Sequence, residues 1–373
     1  MVDNEQKLQE FLPTLRNATW VAVDTEADSL HAYPEKVCLI QISTIDRDTL
    51  IDPLAEMVLD PVLEALGGHE LIMHGADYDL RLLRKHHEFV PSAIFDTMLA
   101  ARLLGLRQFS LSHLVDAYLG VKLEKGPQKA NWAVRPLTER MERYARNDTH
   151  YLKALSDKLK GELEAKGRLE WHRESCARLI ADSAQPRVID MDSIWRLRGS
   201  HALGRAGLAV LKELWQWRET EAVAANRPPF FILSHELLVA IAAAAVSHRP
   251  INALFPKHFS ERRRSGVARA IARGLGIPPD KHPKILRPIV RRPSDLQRKK
   301  FMELQKHRDA RAADLDIDPT LIASRATLSD LAHDWDAHVS ELMSWQRDLL
   351  SGNSHPVAVA PAGSAHQLKS EPL

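Results

Sequence analysis

Over the first hundred residues, short apolar runs alternate with amphipathic ones, the pattern of strands interleaved with helices. Residues 19–26 (TWVAVDTE) read as a strand entering an acidic turn, and residues 37–44 (VCLIQIST) as a buried strand rich in β-branched side chains. Residues 48–53 (DTLIDP) give a short third strand ending at Pro53, and the apolar spacing of 54–66 (LAEMVLDPVLEAL) suits a helix. A fourth strand, ELIMH (70–74), runs straight into the helix pattern ADYDLRLLRKHH (76–87). This order predicts an α/β domain, a sheet covered by helices.

From residue 97 the pattern turns helical: TMLAARLLGL, SLSHLVDAYLG, and one long helix over 137–167 whose start is marked by Pro136 ahead of Leu137-Thr138-Glu139. The periodicity breaks at Ser183–Met191, read as a linker, and no strand pattern returns after it. A repeat appears instead. Glu213-Leu214, Trp217-Arg218 and Ala222 match Glu303-Leu304, His307-Arg308 and Ala312 at an offset of 90 residues. Further on, Leu233 and Leu237-Leu238 pair with Ile317 and Leu321-Ile322, six residues shorter in the second copy. Two small helical modules are expected, joined by the proline-dense connector PPDKHPKILRPIVRRP (278–293). The expected domains are 1–180, 200–285 and 295–352, with 353–373 a disordered tail by composition.

The chain of 373 residues has room for two or three cores. Its apolar runs fall short of the roughly 18 residues of a membrane span, and its N-terminus lacks a signal pattern. Cys38 and Cys176 are far apart, so neither a disulfide framework nor a cysteine metal site is expected, and a reducing cytoplasm is the expected location. The net charge of +2 hides an asymmetry: residues 1–150 carry 16 Lys+Arg against 23 Asp+Glu, whereas residues 257–311 carry 17 against 5. A basic segment of that kind is the footprint of a polyanion partner, or else a solvated helix face.

The chemistry lies in the acidic half. Asp24 and Glu26 stand two apart on one strand and face the same way. Asp77 and Asp79 point to opposite faces of the next helix candidate, so only one of them can enter a shared cleft. Tyr144 and Asp148, four apart, are neighbours on one helical face. Gathered carboxylates repel one another unless hard cations neutralise them, and two-metal phosphodiester hydrolysis is the chemistry such a cluster serves. Oxygen-only donors suit Mg²⁺, with Mn²⁺ able to substitute. His74 and His150 are expected to pack or hydrogen-bond rather than bind a hard metal.

These three segments, in this order, resemble the exonuclease motifs of the ribonuclease D family, the tyrosine branch of the DEDD 3′–5′ exonucleases. Agreement extends to VCLIQIS, to Phe95–Thr97 (FDT) and to the loop 128–137 (QKANWAVRPL), and covers about residues 18–165. The resemblance implies a ribonuclease-H-like fold, with Asp24, Glu26, Asp79 and Asp148 as metal ligands and Tyr144 beside them. Asp79, preceded by an aromatic, fits the second motif better than Asp77. The sister branch has a histidine five residues before the last aspartate, where this chain has Arg143. The repeated modules resemble HRDC domains, which that family carries in two copies.

The implied activity is trimming of RNA from a free 3′ end, of transfer-RNA or other structured precursors, releasing 5′-mononucleotides. Candidate nucleic-acid contacts are Gln128, Trp132 and Arg135 in the loop before the third motif. Arg262, Arg263, Arg264, Arg269 and Arg273 in ERRRSGVARAIARG are further candidates. No P-loop motif is present, so no nucleotide cofactor is expected. The same carboxylates would serve a 3′–5′ DNA exonuclease, and a catalytically weak nucleic-acid-binding protein is the rival from another class.

Overall fold

The computed structural model describes residues 1–186, 190–286 and 293–351; the expected tail and parts of both expected connectors lie outside these. Helix α1 (Glu5–Arg16) starts where the Asn4 side chain accepts from the Lys7 amide, and it buries Leu8, Phe11, Leu12 and Leu15. Then follow β1 (Val21–Ala27), β2 (Val37–Ser43), β3 (Asp48–Ile51), α2 (Asp60–Gly67), β4 (Glu70–Met73), α3 (Asp77–His87) and β5 (Ala93–Asp96). The sheet order is β3-β2-β1-β4-β5. Strand β1 pairs antiparallel with β2 and parallel with β4. The domain is mixed α/β.

Alternation along β1 divides the layers. Val21 and Val23, with Ile40 and Ile42 of β2, pack against α1, α2 and α3. Ala22 faces the other way, towards Leu152, and Leu39 packs with Met141 and Ala145. Each fully buried Leu or Ile contributes about 1.5–3 kcal/mol, so a one-residue slip of β1 would invert both layers and is strongly disfavoured. On this second layer lie α4 (Thr97–Leu103), α5 (Leu111–Leu119), α6 (Glu139–His150) and α7 (Leu152–Ala165), while α8 (Leu169–Ala184) returns to pack on α3 and β5.

Two expectations need correction. Residues 54–59 are not helical: α2 begins at Asp60-Pro61, because proline is accepted in a first turn but not further in. The long helix is two, interrupted at Tyr151, which lets α6 lie on β2 and β3 while α7 packs on α4 and α5. Strand β5, unread in the sequence, has only four residues and sits at the sheet edge.

Beyond Asp190 the described residues form helices and loops, with no strand among them. Helices α9 (Arg205–Ala225), α10 (Pro229–Ile232), α11 (His235–Val246) and α12 (Glu261–Leu275) form the first module, with its own core of Trp195, Leu208, Leu214, Leu238, Ile241 and Val267. Helices α13 (Asp295–Leu315), α14 (Pro319–Ile322) and α15 (Arg325–His333) repeat α9–α11 at an unbroken offset of 90. Asn226 (φ 45°) and Asp316 (φ 49°) end the two long helices alike. Arg218 donates to the Leu233 carbonyl and to Glu219, and Arg308 to the Ala323 carbonyl and Asp309. Leu233 therefore corresponds to Ala323, and Leu238 to Leu328. The six-residue shortening read from apolar matches alone is wrong, because buried Ile317 stands where the first copy has exposed Arg227.

The two helical segments attach differently. With α16 (Trp335–His338) and α17 (Ser344–Ser351), the second shares one hydrophobic core with the α/β domain, joining Ile322, Leu328, Trp345 and Leu349 to Phe95, Leu103, Leu155 and Leu159. Trp345 stacks on Trp171 at 5.0 Å, and the buried Arg168 donates to the carbonyls of Leu103 and Leu315, each at 2.7 Å. The first module reaches the α/β domain through Tyr33, whose hydroxyl donates to Glu219 (2.6 Å) and whose amide donates to Asn226 (3.2 Å). Replacing Trp345 by alanine should open a cavity in the shared core and cost about 3–5 kcal/mol. Urea unfolding followed by circular dichroism measures this, and an unchanged midpoint would refute a shared core.

Candidate active site

The site forms where β1 emerges from the sheet beneath α6. Asp24 and Glu26 share the α6-facing side of β1, with Asp24 opposite Gln41 and Glu26 opposite Leu39 in the antiparallel register. The ladder shifts register after Glu26, where the strand leaves the sheet. On α6, Thr138 caps the first turn by accepting from the Met141 amide. Tyr144 and Asp148 then fall one turn apart on the same face. Ligand oxygens from Asp24, Glu26 and Asp148 all lie within 4.8 Å of one another.

Asp79 approaches from the opposite layer, in the first turn of α3, and is buried. Its Oδ1 accepts from the hydroxyl of Thr25, the residue between the two β1 carboxylates, whose side chain faces the α3 layer. Asp77, by contrast, is exposed and paired with Arg81. The turn into α3 is tied down by buried Asp96, which accepts from the amides of Gly75 and Ala76 while capping α4 through those of Met98 and Leu99.

A loop between α5 and α6 closes over Tyr144. A Cβ added to Gly126 would fall 1.5 Å from the Tyr144 ring, so only glycine permits this approach. The exposed Gln128 side chain interacts with the Tyr144 hydroxyl. The same loop inserts Trp132 into a core with Cys38, Leu39, Leu50 and Met141.

Burial dominates the electrostatics. Glu26 is pushed up to about 9 by burial first, then by the charges of Asp148 and Asp79. Burial and the other three carboxylates raise Asp24 well above the usual carboxylate range. Asp148 rises to about 7, burial outweighing the opposing Tyr144 hydrogen bond, and Asp79 to about 6, burial outweighing the Thr25 hydrogen bond. Burial and the neighbouring Asp148 also raise the Tyr144 phenol, which therefore stays protonated at neutral pH. The donor set is all oxygen, which fits a hard divalent cation. Gln41, fully buried on Asp24's face of the sheet, has an amide without a partner among the described residues, as fits a site completed by polar ligands.

Several expected nucleic-acid contacts are elsewhere engaged. Trp132 is fully buried and offers no stacking surface. Arg135 makes a two-pronged ion pair with Asp52 (2.5 and 2.6 Å) and donates to the carbonyls of Trp132 and Cys38, so its guanidinium is structural. Both residues pin the loop rather than meet a strand. On α12, Arg262 and Arg263 bind Glu221, Arg273 binds Glu213 (2.7 Å), and Arg264 lies over the Phe255 ring. Arg269 is exposed and forms no ion pair among the described residues. The positions that sequence reasoning missed are Thr25, Gln41, Asp96 and Gly126. Asp96 and Gln41 carried a signal, as parts of FDT and VCLIQIS, and Thr25 and Gly126 carried none.

Residues 1–164 match the family model described as 3′-5′ exonuclease, and residues 207–247 match that of the HRDC domain. The second helical segment has no HRDC match of its own. The chain is 29% identical to ribonuclease D of Granulibacter bethesdensis, over 94% of this chain and 90% of that protein. It is 30% identical to the exosome complex exonuclease RRP6 of Saccharomyces cerevisiae, over 65% of this chain and 35% of the yeast protein. The crystal structure of Escherichia coli RNase D, an exoribonuclease, superposes with a TM-score of 0.73 at 22% identity, covering 95% of this chain and 96% of that one; this likeness concerns the fold.

Two outcomes test the site as built. A carboxylate whose pKa is raised on folding stabilises the fold below its unfolded value and loses that contribution as pH climbs through the folded one. The cation-free protein, melted in EDTA, should therefore lose stability between about pH 4.5 and 9, the span set by Glu26, and Mg²⁺ should restore the melting temperature at the alkaline end. A flat profile in EDTA would contradict the crowding of these carboxylates. Separately, Arg135→Ala strands Asp52 and should cost about 3–5 kcal/mol, read from urea unfolding. Affinity for RNA in the surviving folded fraction should be unchanged.

Proposed function

We propose that this 3′–5′ exoribonuclease binds RNA with a free 3′ end and hydrolyses its terminal phosphodiester with the help of two divalent cations. The observation that carries the reading is the trio Asp24, Glu26 and Asp148, with oxygens within 4.8 Å, inside a segment matching the 3′-5′ exonuclease model. The trio would hold one cation, and Asp79 with Asp24 would share the second. Mg²⁺ fits these donors, with Mn²⁺ as a substitute. Bound cations would supply an activated water and neutralise the charge building on the departing oxygen.

The side chains do the rest. Tyr144, protonated at neutral pH, donates or accepts a hydrogen bond to orient the attacking water and does not act as a base. Gly126 and Gln128 keep the phenol in place. Attack at the terminal phosphorus breaks the P–O3′ bond; the water's oxygen joins the phosphate, and its proton passes by way of solvent to the departing oxygen. The products are a 5′-mononucleotide and a chain with a new 3′-hydroxyl, and no covalent intermediate forms.

Transfer-RNA or other structured precursors are the proposed substrates, and the cytoplasm the proposed location. Among the described residues no helix is long and apolar enough to cross a membrane. We read the second helical segment as an HRDC-like module too, on the repeated helix ends and the paired Arg218 and Arg308 contacts. Its shared core makes it a buttress, whereas Arg269 and Gln128 remain the proposed strand contacts.

The test is digestion of matched 5′-labelled RNA and DNA oligonucleotides, with free or blocked 3′ ends, with and without Mg²⁺. A cation-dependent ladder from free-ended RNA is expected; cleavage indifferent to 3′ blocking would sink the reading, and faster digestion of DNA would reassign the substrate. Asp24→Ala and Asp148→Ala should abolish trimming. Tyr144→Phe should slow it by about a hundredfold while leaving Mn²⁺ binding intact.

A further inference from the structure

Thr25 lies between Asp24 and Glu26, and a strand residue there must point away from both. Its side chain is buried in the layer occupied by α3, and its hydroxyl donates to Oδ1 of Asp79. The three carboxylates whose oxygens converge are Asp24, Glu26 and Asp148; Asp79 is outside that group although its charge is felt by all three. The backbone of α3 has little freedom to bring Asp79 closer, because Asp96 clamps the amides of Gly75 and Ala76 just ahead of it. What remains adjustable is the carboxylate torsion, and the Thr25 hydroxyl is bonded to one of its oxygens from behind the strand.

We propose that Thr25 is the positioning residue for the second cation. By occupying Oδ1 of Asp79, it leaves Oδ2 as the oxygen turned towards the shared cleft and limits Asp79 to a one-oxygen ligand. The first cation, held by the trio on the other face of the strand, does not depend on it. The two sites thus differ in how they are built. One is preformed from β1 and α6; the other needs a side chain from the opposite layer held in one orientation by a residue that touches neither cation nor substrate. This inference rests on the two-cation reading above.

The test is Mn²⁺ binding to the full chain, followed by calorimetry and by electron paramagnetic resonance, which distinguishes paired from isolated Mn²⁺. Wild type should take up two ions. Thr25→Val, which keeps the shape and removes the hydroxyl, should weaken the second ion by about 10- to 100-fold, the usual cost of losing a hydrogen bond behind a ligand, with the first unchanged. Thr25→Ser should restore the second site. In an Asp79→Asn background, Thr25→Val should have no further effect. If Thr25→Val melts below the assay temperature, Thr25→Ala takes its place. Two ions bound by Thr25→Val with wild-type affinities would overturn the role of Thr25 alone, as would an equal loss in the Asp79→Asn background. A wild type that binds a single ion would overturn the two-cation reading and this inference with it.

Discussion

Mutual repulsion among Asp24, Glu26, Asp148 and Asp79 is the constraint around which the first domain is arranged. Left to themselves, four carboxylates would move apart into water. Here they are fixed by main-chain geometry: a strand sets the first two side by side, a helical turn sets Asp148 beside Tyr144, and α3 delivers Asp79 from behind. The opposing free energy comes from ordinary packing, from Val21, Val23, Ile40 and Ile42 on one face and Leu39, Met141 and Ala145 on the other. Protonation is the relief available without a cation, which explains why burial lifts Glu26 and Asp148 so far above the ordinary range. A divalent cation offers the other relief, and only that one leaves carboxylates able to do chemistry at neutral pH.

Holding charge in place requires that the supporting polar groups be spoken for. Asp96 satisfies four backbone amides at the junction of β5, α3 and α4. Arg135 and Asp52 neutralise each other where the loop of residues 120–137 crosses the sheet edge. Buried Asp28, four residues after Asp24, is neutralised by Lys36 and plays no part in the cluster. These pairings separate carboxylates that build from carboxylates that react, a distinction set by partners and not by residue type.

Period and spacing made much of this legible in the sequence. Two-residue spacing on a strand and four-residue spacing on a helix are local geometry, so Asp24 could be paired with Glu26 and Tyr144 with Asp148 before any fold was known, while the family resemblance joined the two pairs. Helix geometry admitted only one of Asp77 and Asp79 to the cleft, and it was the resemblance of the second motif, with an aromatic before the aspartate, that favoured Asp79. Long-range partners were illegible. Nothing adjacent to Arg135 announces Asp52, 83 residues away, and Trp132 looks the same in sequence whether it stacks on a base or fills a core. β5, no shorter than β3 and β4, escaped notice because it runs straight into the helical pattern of α4 at Thr97. The repeat was recognised but misaligned, since apolar matches ignore the left-handed helix ends and the arginine-to-carbonyl bonds that fix its register.

The charge asymmetry looks different once contacts are known. Much of the positive charge on α12 is answered within its own module: Glu221 holds Arg262 and Arg263, and Glu213 holds Arg273. An arginine held this way is pre-organised and loses less freedom on meeting a phosphate, but its carboxylate must be shared or displaced. The second module, sharing a core with the α/β domain, cannot move independently. The first is joined through the Tyr33 contacts to the loop that follows the two β1 carboxylates. Of the two, it is therefore the first module whose hold on a strand would be felt at the cleft.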